Sequence, residues 1–141
     1  MLVRDLMSTD LVTAPADASL REAVGRMLEG GVGSVIVLNE GEPAGMVTET
    51  DALLAGYRTD RPLGSIPVRS TMSGPVVTVT PSTPVREAID RMVTNDIKKL
   101  PVLEGIDLVG IVTMSDVVDH HGALLQRARS IEEQRERWES E

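Results

Sequence analysis

Short apolar runs and one helical stretch alternate along the first half of the chain. The run 11–15 is rich in β-formers and ends on a proline, which cannot donate to a β-ladder. Residues 20–28 carry apolar side chains at the spacing of a helix with one buried face. Two further apolar runs, 32–38 and 44–48, flank a polar, glycine-containing turn of the kind found in β-hairpins. With a second helix predicted over 52–57, the pattern indicates a β-α-β-β-α unit.

The same pattern returns in the second half of the chain, at an offset of 65 positions and without a gap. Identical pairs include Val12-Thr13 with Val77-Thr78, Gly45 with Gly110, Thr48 with Thr113 and Asp51 with Asp116. The second copy predicts β-rich runs over 76–81, 98–103 and 108–113, a helix near 85–93, and a helix from Val117 into the tail. One unit of about fifty residues is too small to bury its sheet alone, so we expect the two units to pack sheet against sheet.

The chain is therefore predicted to have an α/β (α+β) fold with two repeats, 1–64 and 65–120, and a helical tail, 121–141. Helix starts are expected at Asp17 or Ser19 in the first repeat and at Ser82 or Thr83 in the second, because these residue types cap helices. Gly30-Gly31 and Asn95 suit the helix ends. The charged tail has two interpretations: a solvated terminal helix, or a helix that packs on a partner chain through Leu124, Leu125 and Trp138.

Composition narrows the classes of function. Hydrophobic residues make up 41% of the chain, and no apolar run approaches the ~20 residues that span a bilayer. We therefore expect a soluble, cytoplasmic protein without a membrane partner. The chain has no Cys and no Phe, so disulfides are excluded and a flat ligand must be held mainly by aliphatic side chains and backbone.

The charge balance is acidic. A formal net charge of -8 disfavours nucleic-acid binding, whose affinity comes mainly from cationic contacts to phosphates. The chain has 12 Arg but only 2 Lys, which are adjacent at positions 98 and 99. An acidic, lysine-poor composition resembles that of proteins from salt-loving microbes such as halophilic archaea.

The repeated phrase Gly-x-x-Thr-x-x-Asp lies where a predicted strand ends and a helix begins, at 45–51 and 110–116. Its first interpretation is a helix cap, in which the Thr and Asp side chains satisfy free N–H groups of the first turn. Its second interpretation is a ligand site. A helix N-terminus with hydroxyl groups suits a phosphate, and a carboxylate can accept hydrogen bonds from the two hydroxyls of a ribose. Both interpretations use the same geometry.

Two gapless β-α-β-β-α repeats, each closing on this phrase and with "LPV" in the middle strand of the second, resemble a tandem pair of CBS domains. The resemblance covers Val3 to about His120. It implies that the repeats pack by pseudo-twofold symmetry and form two clefts between their sheets. It further implies an adenosine ligand, namely AMP, ADP, ATP or S-adenosylmethionine and its relatives, with no further cofactor required. A homodimer and a separate regulated protein are the implied partners.

The resemblance also assigns roles to individual positions. Asp51 and Asp116 match the acid that binds the ribose, and the hydroxyl residues beside them match the phosphate side: Thr48, Thr50, Thr113 and Ser115. The base would face the backbone at Val12, Thr13, Val77 and Thr78, and the middle strands, 32–37 and 97–102, which include Pro101.

Lys98 and Lys99 distinguish the second copy from the first, which has Gly33 and Ser34 at the matching positions. From their place in the sequence we expect both lysines to serve the cleft of Thr113, Ser115 and Asp116. That cleft would then bind a phosphorylated adenosine more tightly than the cleft of Thr48 and Asp51. The alternative interpretation of Lys98 and Lys99 is a solvated strand end.

Two other classes of function compete with ligand sensing. One is a structural dimerisation module without a ligand, in which both Asp residues serve only as caps. The other is an enzyme, which the sequence disfavours because Ser residues lack a credible His base and no paired carboxylates stand in a recognisable frame. We expect no catalytic residue and no metal site, since His120-His121 has no spaced partner ligand.

Overall fold

Helices and strands alternate twice along the computed structural model, which describes residues 1–74 and 76–139, and the side chains of all of these except 123–125 and 132–139. The elements of the first half are β1 (Thr13–Pro15), α1 (Leu20–Gly30), β2 (Ser34–Asn39), β3 (Glu42–Thr48) and α2 (Glu49–Thr59). Those of the second half are α3 (Val85–Thr94), β4 (Lys99–Glu104), β5 (Asp107–Thr113) and α4 (Met114–Glu139). Short 3-10 turns lie at Val3–Asp5, Leu63–Ser65 and Val68–Ser70. The predicted mixed α/β fold is confirmed.

Each half contains one small sheet. In the first, β1 pairs in parallel with β2, and β2 pairs antiparallel with β3. In the second, β4 pairs antiparallel with β5. The β2–β3 hairpin turns on Glu40 and Gly41, whose φ angles of 52 and 83 lie in the left-handed region that two-residue hairpin loops require. The register sets Ser34 opposite Thr48 and Lys99 opposite Thr113.

The first residues of each repeat pack in the hydrophobic core of the other half. The two cores therefore do not coincide with the two sequence repeats. Val3 is fully buried in the core of the second half, and its N–H donates to the Thr83 carbonyl at 2.8 Å. Val68 is fully buried in the core of the first half, where the Ile66 carbonyl accepts from the Leu20 N–H at 2.8 Å. The division into 1–64, 65–120 and 121–141 remains a prediction about repeats in sequence, and the units of packing are different.

Gly45 and Gly110 are required where these exchanged segments cross the sheets. Ser73 bridges to Met46, and Ser8 bridges to Ile111, so a second backbone runs beside each glycine. A Cβ at Gly45 would lie 2.7 Å from the Ser73 carbonyl oxygen, and one at Gly110 would lie 2.9 Å from that of Ser8. The glycine of the repeated phrase therefore permits the close approach of two backbones.

The β-rich run predicted over 76–81 is not a strand, and this prediction was wrong. Only Val79 makes a bridge, to Val102. In the first half, the Ile36 N–H donates to the Val12 carbonyl at 3.0 Å and thereby extends the ladder of β1. The residue that matches Ile36 in the second half is Pro101. Because proline has no N–H, the corresponding hydrogen bond cannot form there.

Helix starts differ from several of the predictions. Ser19, one of the two predicted candidates, is the N-cap of α1, and its hydroxyl accepts from the Glu22 N–H at 3.2 Å. Pro84, rather than Ser82 or Thr83, is the N-cap of α3. The helices predicted to begin at Ala52 and Val117 begin three residues earlier, at Glu49 and Met114. The Thr48 and Thr113 hydroxyls accept from the N–H groups of Asp51 and Asp116 and so cap the helices at these earlier positions.

The helix α4 extends from the second sheet far into the predicted tail. Leu124, Leu125 and Trp138, on which the partner-packing interpretation depends, lie outside the described side chains. Among the described residues, no helix has a stretch long and apolar enough to cross a membrane.

Replacing Gly45 by Ala should lower the free energy of unfolding by about 1–3 kcal/mol, because the added Cβ would collide with the Ser73 backbone as well as with the Met72 side chain, and the backbone cannot move aside easily. Gly25→Ala is the control, since Gly25 lies within α1 and a Cβ added there would have nothing within 4 Å. Ala there should be neutral or stabilising by up to about 1 kcal/mol. Urea denaturation measures both variants. Equal unfolding free energies of the two variants would contradict the close approach of the two backbones at Gly45.

Candidate functional site

The two Thr–Asp pairs of the repeated phrase form the same reciprocal hydrogen bonds. The Thr48 N–H donates to Asp51 Oδ2 at 2.9 Å, and the Asp51 N–H donates to Thr48 Oγ1 at 3.2 Å. Thr113 and Asp116 repeat this arrangement at 3.0 and 3.1 Å. The capping interpretation is thus confirmed for both copies. Each bond to the backbone uses Oδ2 of the carboxylate, and each motif is half-buried.

A cleft of about 720 Å³ lies between the two halves and includes the first of these motifs. Seven residues predicted from the sequence line it: Thr48, Thr50, Asp51, Val77, Lys98, Lys99 and Pro101. The walls are otherwise largely aliphatic, with Met46, Val76 and Ile97 among them. The cleft therefore combines hydroxyls, three carboxylates (those of Glu49, Asp51 and Asp96) and two ammonium groups with apolar walls.

The predicted grouping of the lysines with the second motif was wrong. Lys98 and Lys99 line the cleft of Thr48 and Asp51, whereas Thr113, Ser115 and Asp116 lie outside that cleft. So do Val12, Thr13 and Thr78. The backbone of Lys99 pairs with Thr113, but its side chain crosses to the other half and donates from Nζ to Ser34 Oγ at 3.0 Å. Ser34 lies opposite Thr48, so the lysine of one repeat faces the motif of the other.

The ammonium groups of Lys98 and Lys99 share the cleft with carboxylates but form no ion pair with any described residue. Among the described residues, no carboxylate oxygen lies within 4.0 Å of either group. Glu49 and Asp96, which were not predicted from the sequence, also line the cleft. The Glu49 carboxylate lies over Gly33, since a Cβ at Gly33 would be 3.1 Å from Glu49 Oε1. The cleft thus presents charges of both signs, and the positive ones remain available to an anion.

Two arginines hold the backbone segments on which the base was predicted to rest. Arg91 donates from Nη1 to the Thr78 carbonyl at 2.6 Å and from Nη2 to Glu87 at 2.8 Å. In the first half, Arg26 makes the same bonds to the Thr13 carbonyl and to Glu22. Neither arginine was predicted from the sequence. One signal was available in the sequence. Both repeats have an arginine at this position, and in both it follows a glutamate by four residues.

A model of the family described as "CBS domain" matches residues 3–57 and 64–122. The chain belongs to the CBS domain family. It carries two CBS repeats in tandem, as the resemblance indicated, and each matched segment ends beyond the Thr–Asp motif of its repeat.

Relatives with similar sequences include proteins of archaea and bacteria. The chain is 32% identical to protein MK0525 of Methanopyrus kandleri, over 99% of this chain and 70% of that protein. It is 31% identical to the CBS domain-containing protein YhcV of Bacillus subtilis, over 82% of this chain and 81% of that one.

Solved structures share the fold of this CBS pair. An uncharacterized conserved protein from Pyrococcus horikoshii superposes with a TM-score of 0.74 at 29% identity, covering 85% of this chain and 91% of that one. The CBS domain pair of protein MJ0100, in complex with 5′-methylthioadenosine and S-adenosyl-L-methionine, gives a TM-score of 0.76 at 23% identity, covering 87% and 97%. At that identity the second likeness establishes the fold alone.

Removing the capping carboxylate of either motif should lower the free energy of unfolding by a similar amount. We expect Asp51→Ala and Asp116→Ala each to lose about 1 kcal/mol of unfolding free energy, because a Thr N–H at the helix start loses its acceptor. Asp17→Ala removes the same charge from an exposed position and serves as the control. Chemical denaturation compares the three. Losses no greater than that of Asp17→Ala would show that the caps contribute nothing.

Proposed function

We propose that this CBS pair is a regulatory module that binds a phosphorylated adenosine ligand, AMP, ADP or ATP, in the cleft around Thr48 and Asp51. The observation that carries the proposal is the junction of the hydroxyl–carboxylate motif of one repeat with the two lysines of the other in a single cleft. In this assignment Asp51 accepts from the ribose, and Thr48, Thr50, Lys98 and Lys99 bind the phosphate. The MJ0100 complex, in which a CBS pair holds two adenosine compounds, supports the ligand class.

The aliphatic walls of the cleft fit the base in this assignment. Val77 and Pro101 contribute backbone and apolar surface on the side formed by the second half. The motif of Thr113, Ser115 and Asp116, with Val12, Thr13 and Thr78, is proposed as the corresponding part of a second cleft, one without Lys99. An S-adenosylmethionine-type ligand, which carries no phosphate, suits that second position better than the first.

Regulation requires that the ligand bind two conformations with different affinity. The ligand would contact both halves at once, so it would stabilise one relative arrangement of the two sheets over others. The proposed output is a change of shape that a separate protein detects. No catalytic step is assigned to any residue in this proposal.

Ligand titrations on matched variants test the assignment. Lys99→Met should weaken AMP binding by about 10-fold or more, because a charge-assisted bond is lost, and should leave adenosine binding nearly unchanged. Asp51→Asn should weaken both ligands, since both contain the ribose. Isothermal titration calorimetry provides the dissociation constants.

Asp116→Asn is the control for these titrations, because it makes the equivalent change in the other motif. It should leave the binding of AMP in the Thr48 cleft unchanged. If Asp116→Asn abolishes AMP binding and Asp51→Asn does not, the ligand has been assigned to the wrong cleft.

A second candidate function is dimerisation, and one surface favours it. Leu28 on α1 and Leu53 and Tyr57 on α2 are 78%, 75% and 88% exposed, and they border an apolar groove between the two helices. The sequence predicts that a second copy covers five apolar residues, namely Leu53, Leu54, Val117, Val118 and Leu124. Of these, Leu53, Leu54 and Val118 are exposed, Val117 is half-buried, and Leu124 lies outside the described side chains. We propose that a second copy of the chain covers this face, since isologous pairing would bury the same patch on both copies.

Light scattering tests the dimer. The wild type should give a particle of about twice the 15.2 kDa chain mass, and Leu53→Asp should shift it to the mass of one chain. Ile106→Asp is the control, because Ile106 is similarly exposed at 80% but lies in the turn between β4 and β5. A wild type that remains monomeric at all concentrations would refute the proposal.

A further inference from the structure

One hydrogen bond joins two residues that occupy the same position in the two repeats. Lys99 donates from Nζ to Ser34 Oγ at 3.0 Å, and the two residues are 65 positions apart, which is the repeat offset. Among the described residues, it is the only hydrogen bond between a side chain of one half and a side chain of the other. Because equivalent residues can touch only beside the axis that relates the repeats, this bond lies at the pseudo-twofold axis.

The bond completes a row of four half-buried residues across the two sheets, in the order Thr48, Ser34, Lys99 and Thr113. Thr48 lies opposite Ser34 in the first sheet, and Thr113 lies opposite Lys99 in the second. Residues directly opposite in an antiparallel pair have their Cβ atoms about 4.5–5.5 Å apart on the same face of the sheet. The Lys99 side chain thus begins beside the second Thr–Asp motif and ends beside the neighbour of the first.

The positive charge in the middle of this row has no equivalent from the other repeat. Lys98 and Lys99 are the only lysines, and the first repeat has Gly33 and Ser34 in their places. Among the described residues, Lys99 forms no ion pair, and the hydroxyl of Ser34 accepts from its ammonium group. Since a lysine carries its charge on a flexible four-carbon stem, this ammonium can be drawn to an anion on either side of the axis.

We propose that Lys99 serves the two motifs in turn, so that a phosphate bound at one motif lowers the affinity of the other motif for phosphate. The inference rests on the proposed function and deepens it, because it makes the two clefts interdependent. The second cleft is then without Lys99 only while the first cleft holds it. Because coupling between two binding sites is reciprocal, phosphate at either motif weakens the other by the same factor. A ligand without phosphate does not use the ammonium and is not coupled in this way.

Titrations of the wild type with AMP and with adenosine measure the inequality of the two sites. The second AMP should bind about 10-fold or more weakly than the first, because one charge-assisted bond is missing once Lys99 is engaged. The two adenosine sites should differ less, since neither depends on Lys99. Isothermal titration calorimetry provides the affinities and the number of sites.

Asp51→Asn separates a shared lysine from one that serves only the first cleft. In this variant the first cleft stays empty at low AMP concentration, so Lys99 is released to the motif of Thr113 and Asp116. That site should bind AMP about 10-fold more tightly than the second site of the wild type does. Adding Lys99→Met to Asp51→Asn should remove the gain. Adding Lys98→Met is the control, because Lys98 does not belong to the row, and it should leave the gain in place.

Ser34→Lys supplies the first repeat with the lysine of the second, so that each motif has its own. The two AMP affinities should then approach each other. Ser34→Ala is the matched control, since it removes the hydroxyl without adding a charge, and it should leave the two sites unequal.

Each outcome of these titrations bears on the proposal. A second-site affinity that Asp51→Asn leaves unchanged would overturn the inference, because Lys99 would then serve the first cleft alone. A single AMP site in the wild type and none in Asp51→Asn would also overturn it, and both results leave the proposed function standing. Failure of the wild type to bind any AMP would overturn the proposed function and the inference together. If Asp51→Asn does not fold, Thr50→Trp repeats the test, because it blocks the first cleft from an exposed residue that lines it.

Discussion

The close approach of two backbones at Gly45 and at Gly110 is the constraint on which the rest of the structure depends. At each glycine, a segment from the start of the other repeat crosses the sheet and pairs with it. The same crossing carries Val3 into the second core and Val68 into the first. Because each half is completed by a piece of the other, the two sheets are held together, and a cleft can form from both. The proposed ligand site therefore depends on the packing of each repeat's first residues against the other half, and that packing depends on the two glycines.

The two repeats have nearly the same fold, but they differ in residues close to the motifs. These differences give the two motifs different chemical surroundings. Lys99 stands where the first repeat has Ser34, and Pro101 stands where it has Ile36. The first motif therefore shares its cleft with Lys99 and Pro101, whereas the repeat symmetry would pair the second motif with the neutral Ser34 and Ile36. Residues around the two motifs can thus differ while the motifs stay the same, since both copies keep the same capping hydrogen bonds.

Local features of the site were predictable from the sequence, whereas its assembly was not. The spacing of Thr48 and Asp51 predicted a capped helix start because a cap involves residues only three positions apart. The place of Lys99 was predicted wrongly because its side chain acts 65 positions away, across an interface that the repeat pattern does not describe. The exchange of Val3 and Val68 was missed for a related reason. The two residues are identical, so the sequence fits equally well whichever core each one enters. Likewise, the effect of Pro101 on 76–79 requires knowledge of which strand pairs with it.

The exchange of leading segments has a consequence for the order in which a growing chain can fold. The buried residues of the first core run from Ala14 to Val68, so all of them exist once the chain has been synthesised as far as Val68. The segment from Val3 to Ser8 is synthesised long before its partners, which extend to Ile111 and Val112. It must wait, with its apolar side chains uncovered, until almost the whole second repeat has emerged. Contacts of such wide sequence separation form slowly, and an exposed segment that waits for a distant partner can also find that partner on another copy.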